Sequence, residues 1–234
     1  MKAMIFAAGM GSRLKEFTRD TPKCLMSLGK ETILEHVVAQ LKAAGVSSIV
    51  INVHHLADQV VTFVKSKDNF GLAVNFSMEP VLLDTGGGLK KVATDFAREE
   101  AFLIHNADVF CDTDLGALVT KHLANNSVAT LAVMKRPSSR GLYLSPDGHL
   151  VGWTEEKASP PVDAEVFGFC GISVASPELF SYMEAGDSFS IIKPFLSAAH
   201  ATHRVLGEVL TDSAWVDIGT PEQLQTLRNQ LARS

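Results

Sequence analysis

Residues 5–13 read IFAAGMGSR, a short apolar run that breaks into two glycines and closes on an arginine; TPK follows at 21–23. A buried strand that leaves through Gly9 and Gly11 admits two readings. One is a tight turn. The other is a phosphate grip, because glycines let the backbone approach a phosphate and the exposed N–H groups form an anion nest. Ligands of open α/β sheets sit at the carboxyl ends of strands, where this loop falls. Two familiar rivals fail in detail. Leu14 stands where a dinucleotide fingerprint needs its third glycine, and no Gly-Lys-Ser/Thr follows as in a Walker loop. A strand, a glycine loop, Arg13 and then Lys23 are together more than a turn requires.

Outward from this stretch, the first half alternates strand and helix. Apolar runs at 2–7, 48–53, 72–76, 101–105 and 128–134 alternate with helical spacing at 32–44, 56–65, 87–96 and 115–124. Short apolar runs covered by helices predict an α/β fold: a Rossmann-like, mainly parallel mixed sheet with helices on both faces. After about residue 136 the pattern changes. Segments 140–144 and 149–153 flank Pro146-Asp147-Gly148 as a β-hairpin. A polar loop at 156–161 leads to a strand at 166–174, helices at 177–183 and 191–201, strands at 204–209 and 214–217, and a helix at 221–232. No linker or repeat interrupts the chain, so residues 1–234 are read as a single domain.

Composition narrows the function classes. The chain has 234 residues, 46% hydrophobic, enough for a sizeable core. A net charge of −5 without a basic block argues against nucleic-acid or anionic-membrane partners. It leaves room for a small phosphorylated ligand, which needs only a few placed cations. Cys24, Cys111 and Cys170 are dispersed and odd in number, as expected for a reduced cytoplasm rather than a disulfide framework or zinc site. The apolar part of the N-terminus is too short for a signal peptide, and no run reaches the ~18 residues of a membrane span. The eight histidines form no ligand pattern and are read as structural or as supports behind the site. Met26, Met78, Met134 and Met183 are read as core filler.

The stretch A7-A8-G9-M10-G11-S12-R13 with T21-P22-K23 closely resembles the signature of the sugar-1-phosphate nucleotidylyltransferases. The resemblance extends through D84-T85-G86-G87-G88, N106-A107-D108, F169-x-G171-I172 and W215-V216-D217-I218-G219-T220, nearly the whole chain. It is greatest to short single-domain members, among them N-acetylmuramate-1-phosphate uridylyltransferases and mannose-1-phosphate guanylyltransferases. The resemblance implies a nucleotide-diphospho-sugar transferase type of fold, with a nucleotide-binding half at 1–135 and a sugar-phosphate-binding half at 136–234. It implies an NTP and a sugar 1-phosphate as substrates and Mg²⁺ as cofactor.

Residue by residue, the resemblance places Ala7, Ala8, Gly9, Gly11, Ser12, Arg13, Lys23, Glu79, Thr85, Gly86 and Gly87 around the nucleotide. It places Asn106, Lys157, Gly171 and Asp217 around the sugar phosphate, Lys157 through its likeness to a glutamate-lysine pair in larger relatives. Asp108 and Asp217 are the implied metal ligands, and Mg²⁺ does take one or two protein carboxylates plus substrate phosphates. Arg13, Lys23 and Asp108 are the implied catalytic residues. Asp112 and Asp114 are read as solvated or as caps of the helix from Leu115. The family usually has Asn-Gly-Asp where this chain has Ala107. If that glycine serves a positive φ, alanine carries strain; if it serves space, alanine narrows the floor of the site. Three consecutive glycines are costly in backbone entropy, so a close approach is expected at 86–88. Gly171, inside an apolar strand, likewise marks a close approach.

The sugar phosphate is already an anion, so transfer needs positioning and charge neutralisation rather than a general base. This accounts for a site of glycines, cations and carboxylates with no nucleophile–histidine arrangement. UTP with N-acetylmuramate 1-phosphate or a similar amino sugar is the first expectation, then GTP with mannose 1-phosphate, then cytidylyl transfer to a phosphorylated alcohol. A non-catalytic sugar-nucleotide-binding regulatory protein on the same fold is the alternative of another class. A nicotinamide-dependent dehydrogenase is disfavoured by Leu14. Oligomeric state is not legible.

Overall fold

The first strand shows why the apolar runs are nearly continuous. Lys2–Phe6 forms β1, and its alternate side chains divide between two cores: Ala3 and Ile5 join one, Met4 and Phe6 the other. Both sheet faces are therefore covered, which removes the polar alternation of a half-solvated strand. The structure, a computed structural model, describes residues 1–11, 13–14, 18–138, 140–156, 161–211 and 213–232.

The further strands are β2 (Ser48–Val53), β3 (Ala73–Met78), β4 (Phe102–Asn106), β5 (Val109–Cys111), β6 (Ala129–Met134), β7 (Gly141–Leu144), β8 (Leu150–Trp153), β9 (Glu165–Ala175), β10 (Val205–Val209) and β11 (Trp215–Asp217). The helices are α1 (Ile33–Ala43), α2 (Ala57–Ser66), α3 (Asp84–Lys91), α4 (Ala93–Phe96), α5 (Leu115–Ala124), α6 (Ile192–Thr202) and α7 (Pro221–Leu231). The large sheet runs β10-β6-β9-β4-β1-β2-β3, with the β7–β8 hairpin joined to β9. Along this path only β9 runs against the others, pairing antiparallel with β4 and β6. β5 and β11 form a separate antiparallel pair.

Helices α1, α2, α5 and α7 cover one face through Val37, Leu41, Val60, Val64, Leu115, Leu118, Leu224 and Leu227. Helices α3, α4 and α6 cover the other through Leu89, Phe96, Phe195 and Leu196. The local signals are readable. Thr32 and Glu35 close a capping box on α1. Asp114 caps α5 by accepting from Ala117 N–H at 3.1 Å. Thr220 caps α7, with Pro221 at its first position.

Four expectations change. The helix expected at 87–96 is two, and the first begins at Asp84, so the glycines lie inside it. Pro177–Tyr182 is a 3₁₀ helix. β5 was not foreseen. Met78 is not core filler: it is 47% exposed on the edge strand β3, whereas Met26 is buried. No helix among the described residues is long and apolar enough to cross a membrane.

His105 and His122 are buried, and burial pushes both down to about 4. Each is neutral at pH 7. Unfolding returns them toward 6.5, so the unfolded chain binds more protons between about pH 4 and 6.5. Stability should therefore fall as pH drops through that window. Thermal melts at about pH 7.5 and about pH 5 should show this as a lower Tm in the more acidic buffer, and His122→Gln should flatten the dependence.

Candidate active site

Strand register builds the rim of the site. Phe6 ends β1 between two neighbours, opposite Asn52 of β2 and Asn106 of β4. The glycine loop thus leaves the sheet between two asparagines. Asn52 fixes its start, accepting Ala7 N–H on Oδ1 at 2.8 Å. The two glycines then differ. Gly11 has φ +62°, and a Cβ there would come within 2.7 Å of Thr18, so it serves the turn. Gly9 has nothing within 4 Å of a Cβ position and borders a cleft, so it serves close approach.

That cleft, of about 290 Å³, is lined by Phe6, Ala8, Gly9, Asn52, Glu79 and Thr85 among others. Glu79 is buried rather than a solvated strand end. Its Oε1 accepts from Asn52 Nδ2 at 2.8 Å and its Oε2 from Leu83 N–H at 3.2 Å. A wider cleft of about 650 Å³ adjoins it, and the two share Asp84 and Thr85. Arg13, Asn106, Arg136, Trp153, Phe169 and Asp217 line the wider one. Its charged lining suits a phosphorylated ligand; the narrower, more apolar cleft suits a base.

Gly86 and Gly87 are buried, and their close approach is to protein. A Cβ on Gly87 would lie 1.9 Å from the Asp187 carbonyl oxygen, and one on Gly86 would lie 2.4 Å from the Phe189 ring. A Cβ on Gly88 would meet Glu79 and Asn52 at 2.8 and 2.9 Å. The three glycines let segment 187–189 and the Glu79–Asn52 pair press onto α3. Thr85 joins the same seam, its Oγ1 accepting Ile191 N–H at 2.9 Å. Gly87→Ala should therefore destabilise the fold by ~1–3 kcal/mol, because the clash outweighs the helix-propensity gain. A thermal melt measures it, and an unchanged Tm would contradict the reading. Gly171 similarly makes room for Asn106: its φ is +73° and a Cβ would lie 2.7 Å from the Asn106 amide nitrogen.

The charged centre forms where β5 pairs with β11. Asp217 lies opposite Val109, and Ile218 N–H donates to the Asp108 carbonyl at 2.9 Å. Two aspartates 109 positions apart in sequence (217 − 108) thereby become neighbours. Lys23 stands between them, with Nζ 2.5 Å from Asp108 Oδ2 and 3.9 Å from Asp217 Oδ1. Arg13 Nη2 lies 3.9 Å from Asp217 Oδ2, its guanidinium over Gly219, where a Cβ would come within 3.0 Å. Burial first, and then the Asp108 charge, hold the Asp217 carboxyl above the usual carboxylate range against the pull of Lys23, Arg13 and Arg136.

Ala107 does not have a positive φ. Its N–H donates to Phe6 O at 3.0 Å in the two-residue turn between β4 and β5. Alanine in place of the family glycine carries no left-handed strain. Among the described residues no group of three or more metal-ligating side chains exists. Two carboxylates nevertheless fit Mg²⁺, which completes its sphere with phosphate oxygens and water. Asp217 Oδ1 is buried without a hydrogen-bond partner, an acceptor left open for a cation.

The structure thus brings Ala8, Gly9, Glu79 and Thr85 to one cleft, and Arg13, Asn106 and Asp217 to the next. Lys23 and Asp108 line neither cleft and are tied to the wider one through Asp217. Ser12 and Lys157 lie outside the described residues. Asn52 and Arg136 line the site although nothing in the sequence reading marks them, and Asp84 does so from a stretch in which it carries no expected role.

The Nucleotidyl transferase family profile matches residues 2–234, so the chain belongs to the nucleotidyl transferase family. It is 31% identical to the N-acetylmuramate alpha-1-phosphate uridylyltransferase of Neisseria meningitidis serogroup B, across 94% of each chain. It is 27% identical to the UTP–glucose-1-phosphate uridylyltransferase of a Synechocystis species, matching 100% of this chain but only 64% of that longer protein. A Bacillus anthracis structure described as a glucose-1-phosphate thymidylyltransferase and solved with sucrose has a TM-score of 0.84 at 22% identity. It matches 100% of this chain and 96% of that one, a likeness of fold.

Proposed function

We propose that this protein transfers a nucleotidyl group from an NTP to a sugar 1-phosphate, releasing pyrophosphate. The observation that carries the reading is Lys23, held on Asp108 and beside Asp217, which with Arg13 lines a charged cleft that adjoins a base-sized one. An anionic oxygen of the sugar phosphate attacks the α-phosphorus in line. A new P–O bond forms as the bond to the bridging oxygen breaks, and the leaving pyrophosphate takes the electron pair. No proton need move, which suits a centre without a base. Gly9 admits the phosphates close to the backbone, Lys23 neutralises charge at the α-phosphate, and Arg13 receives the pyrophosphate. Asp108 and Asp217 would hold Mg²⁺, which when bound supplies Lewis-acid stabilisation of phosphate oxygens.

UTP with N-acetylmuramate 1-phosphate, or a similar amino sugar, is the favoured pair; the Neisseria relative, matched over nearly the whole of both chains, supports it. GTP is the second reading, supported by a D-glycero-alpha-D-manno-heptose 1-phosphate guanylyltransferase of Aneurinibacillus thermoaerophilus, 24% identical across 99% of this chain.

The test is pyrophosphate release with Mg²⁺, running UTP, GTP, CTP, ATP and dTTP against a panel of sugar 1-phosphates and phosphocholine. Release with UTP and an amino-sugar phosphate is the expected result. Silence across the panel, with nucleotide binding retained, would replace the reading with that of a binding protein.

A further inference from the structure

Arg136 follows β6 and lines the wide cleft. Its guanidinium carbon lies 4.2 Å from the centroid of the Trp215 ring. Nη2 donates to the Phe169 carbonyl at 2.9 Å. The side chain crosses Gly168, where a Cβ would come within 2.7 Å of both Cζ and Nε. Trp215 is fixed in turn, its indole N–H donating to the Cys170 carbonyl at 2.8 Å. A flat cation stacked on an aromatic ring, anchored through Nη2 and, at 3.5 Å, through Nη1 on the Pro137 carbonyl, and laid over a glycine is oriented before any ligand arrives.

The other cations around the cleft each sit on a carboxylate, and Arg13 and Lys23 already have roles toward the NTP in the transfer reading. Arg13 is 3.9 Å from Asp217, Lys23 is 2.5 Å from Asp108, and Arg140 is 2.8 Å from Glu155. Arg136 has no carboxylate within ion-pair distance among the described residues. Its remaining N–H groups are of the kind that hold phosphate oxygens in pairs. Trp215 and Asp217 are two apart on β11 and share a face of it, so one short strand carries both the support of Arg136 and a carboxylate of the charged centre.

From this geometry we infer that Arg136 seats the phosphate of the acceptor in the wide cleft, as a positioning residue for the transfer. The inference rests on the transfer reading above. It also gives Gly168 and Trp215 their purpose: they aim the arginine.

The experiment compares Arg136→Met, Arg136→Lys and Gly168→Ala with the parent protein, by pyrophosphate release at saturating NTP with the acceptor varied, and by equilibrium binding of NTP. Arg136→Met should raise the acceptor KM by about 10- to 100-fold, as expected for loss of a charged hydrogen-bonding partner. NTP affinity should stay the same. Arg136→Lys should recover part of the loss, and Gly168→Ala, which keeps the charge but displaces it, should reproduce the defect. An unchanged acceptor KM in Arg136→Met overturns the inference, as does an equal rise in the NTP constant. Acceptors with and without a sugar carboxylate separate the two anionic groups. An equal loss on both supports the phosphate; a loss confined to the carboxylated acceptor overturns it. If the parent releases no pyrophosphate with any pair, the transfer reading itself fails. Equilibrium binding of glucose 1-phosphate then decides the role of Arg136: binding lost in Arg136→Met supports it, and binding retained overturns it.

Discussion

Lys23→Ala should lower kcat/KM for pyrophosphate release by roughly 10³-fold, the scale of removing one preorganised charge partner from a transferring group. The lysine is fixed before substrate arrives, because its side chain is only 10% exposed and its nitrogen reaches both Asp108 and Asp217. Substrate phosphates would meet a cation already oriented, with little reorganisation left to the reacting complex. The substitution has a second effect. It leaves two neighbouring carboxylates without the cation between them, and like charges at close range disfavour ionisation of both. Affinity for a divalent cation should therefore change together with turnover. Lys23→Arg should recover little, because a planar fork does not replace a compact ammonium in a nearly closed slot. Turnover of Lys23→Ala within tenfold of the parent, in protein with a normal circular dichroism spectrum, would remove Lys23 from the mechanism.

Asp217→Asn should separate stability from activity. Burial and the Asp108 charge raise the Asp217 carboxyl, so its ionised form is disfavoured in the fold. A neutral amide of the same shape relieves that cost, and with a chelator present the variant should melt higher than the parent. Activity should move the other way. Loss of one anionic oxygen should lower pyrophosphate release by about 100-fold or more at millimolar Mg²⁺, with partial recovery as the metal is raised. Functional sites commonly carry such a trade. A lower Tm together with an unchanged Mg²⁺ dependence would reverse both assignments.

The α/β alternation was legible because it depends on local pattern. Apolar runs, Thr32 with Glu35, and Pro221 after Thr220 each carry their signal within a few residues. The glycine loop with Arg13 and Lys23 was legible for the same reason. β5 was not: it has three residues, and its partner β11 lies more than a hundred positions away. No spacing joins Asp108 and Asp217; only the resemblance pairs them, and β5 with β11 supplies the physical reason. Asn52 sits inside the run SIVINV, where nothing marks it except that it is polar in a buried strand. Arg136 lies in the polar stretch KRPSSR, and its support comes from Gly168 and Trp215 in distant strands. The glycines at 86–88 signal a close approach, but the resemblance assigns it to the nucleotide, and in the structure the groups pressed on them are segment 187–189 and the Glu79–Asn52 pair. Residue type could not tell whether a ligand or segment 187–189 does the approaching.

The reversed strand β9 does two jobs along its length. Residues 172–175 are wedged between β4 and β6, fully inside the sheet, while 165–167 pair with β7 and are more exposed. Phe169, between the two parts, reaches the wide cleft. Directed evolution can use this division. Randomising 169 varies the wall of the wide cleft, and randomising 165–166 varies exposed positions outside its lining, while the wedge stays intact, so most library members should fold. Randomising 172–175 spends the same diversity on interior fit and returns chiefly misfolded chains. One strand thus holds a cleft-lining position that can vary beside a wedge that has almost no freedom.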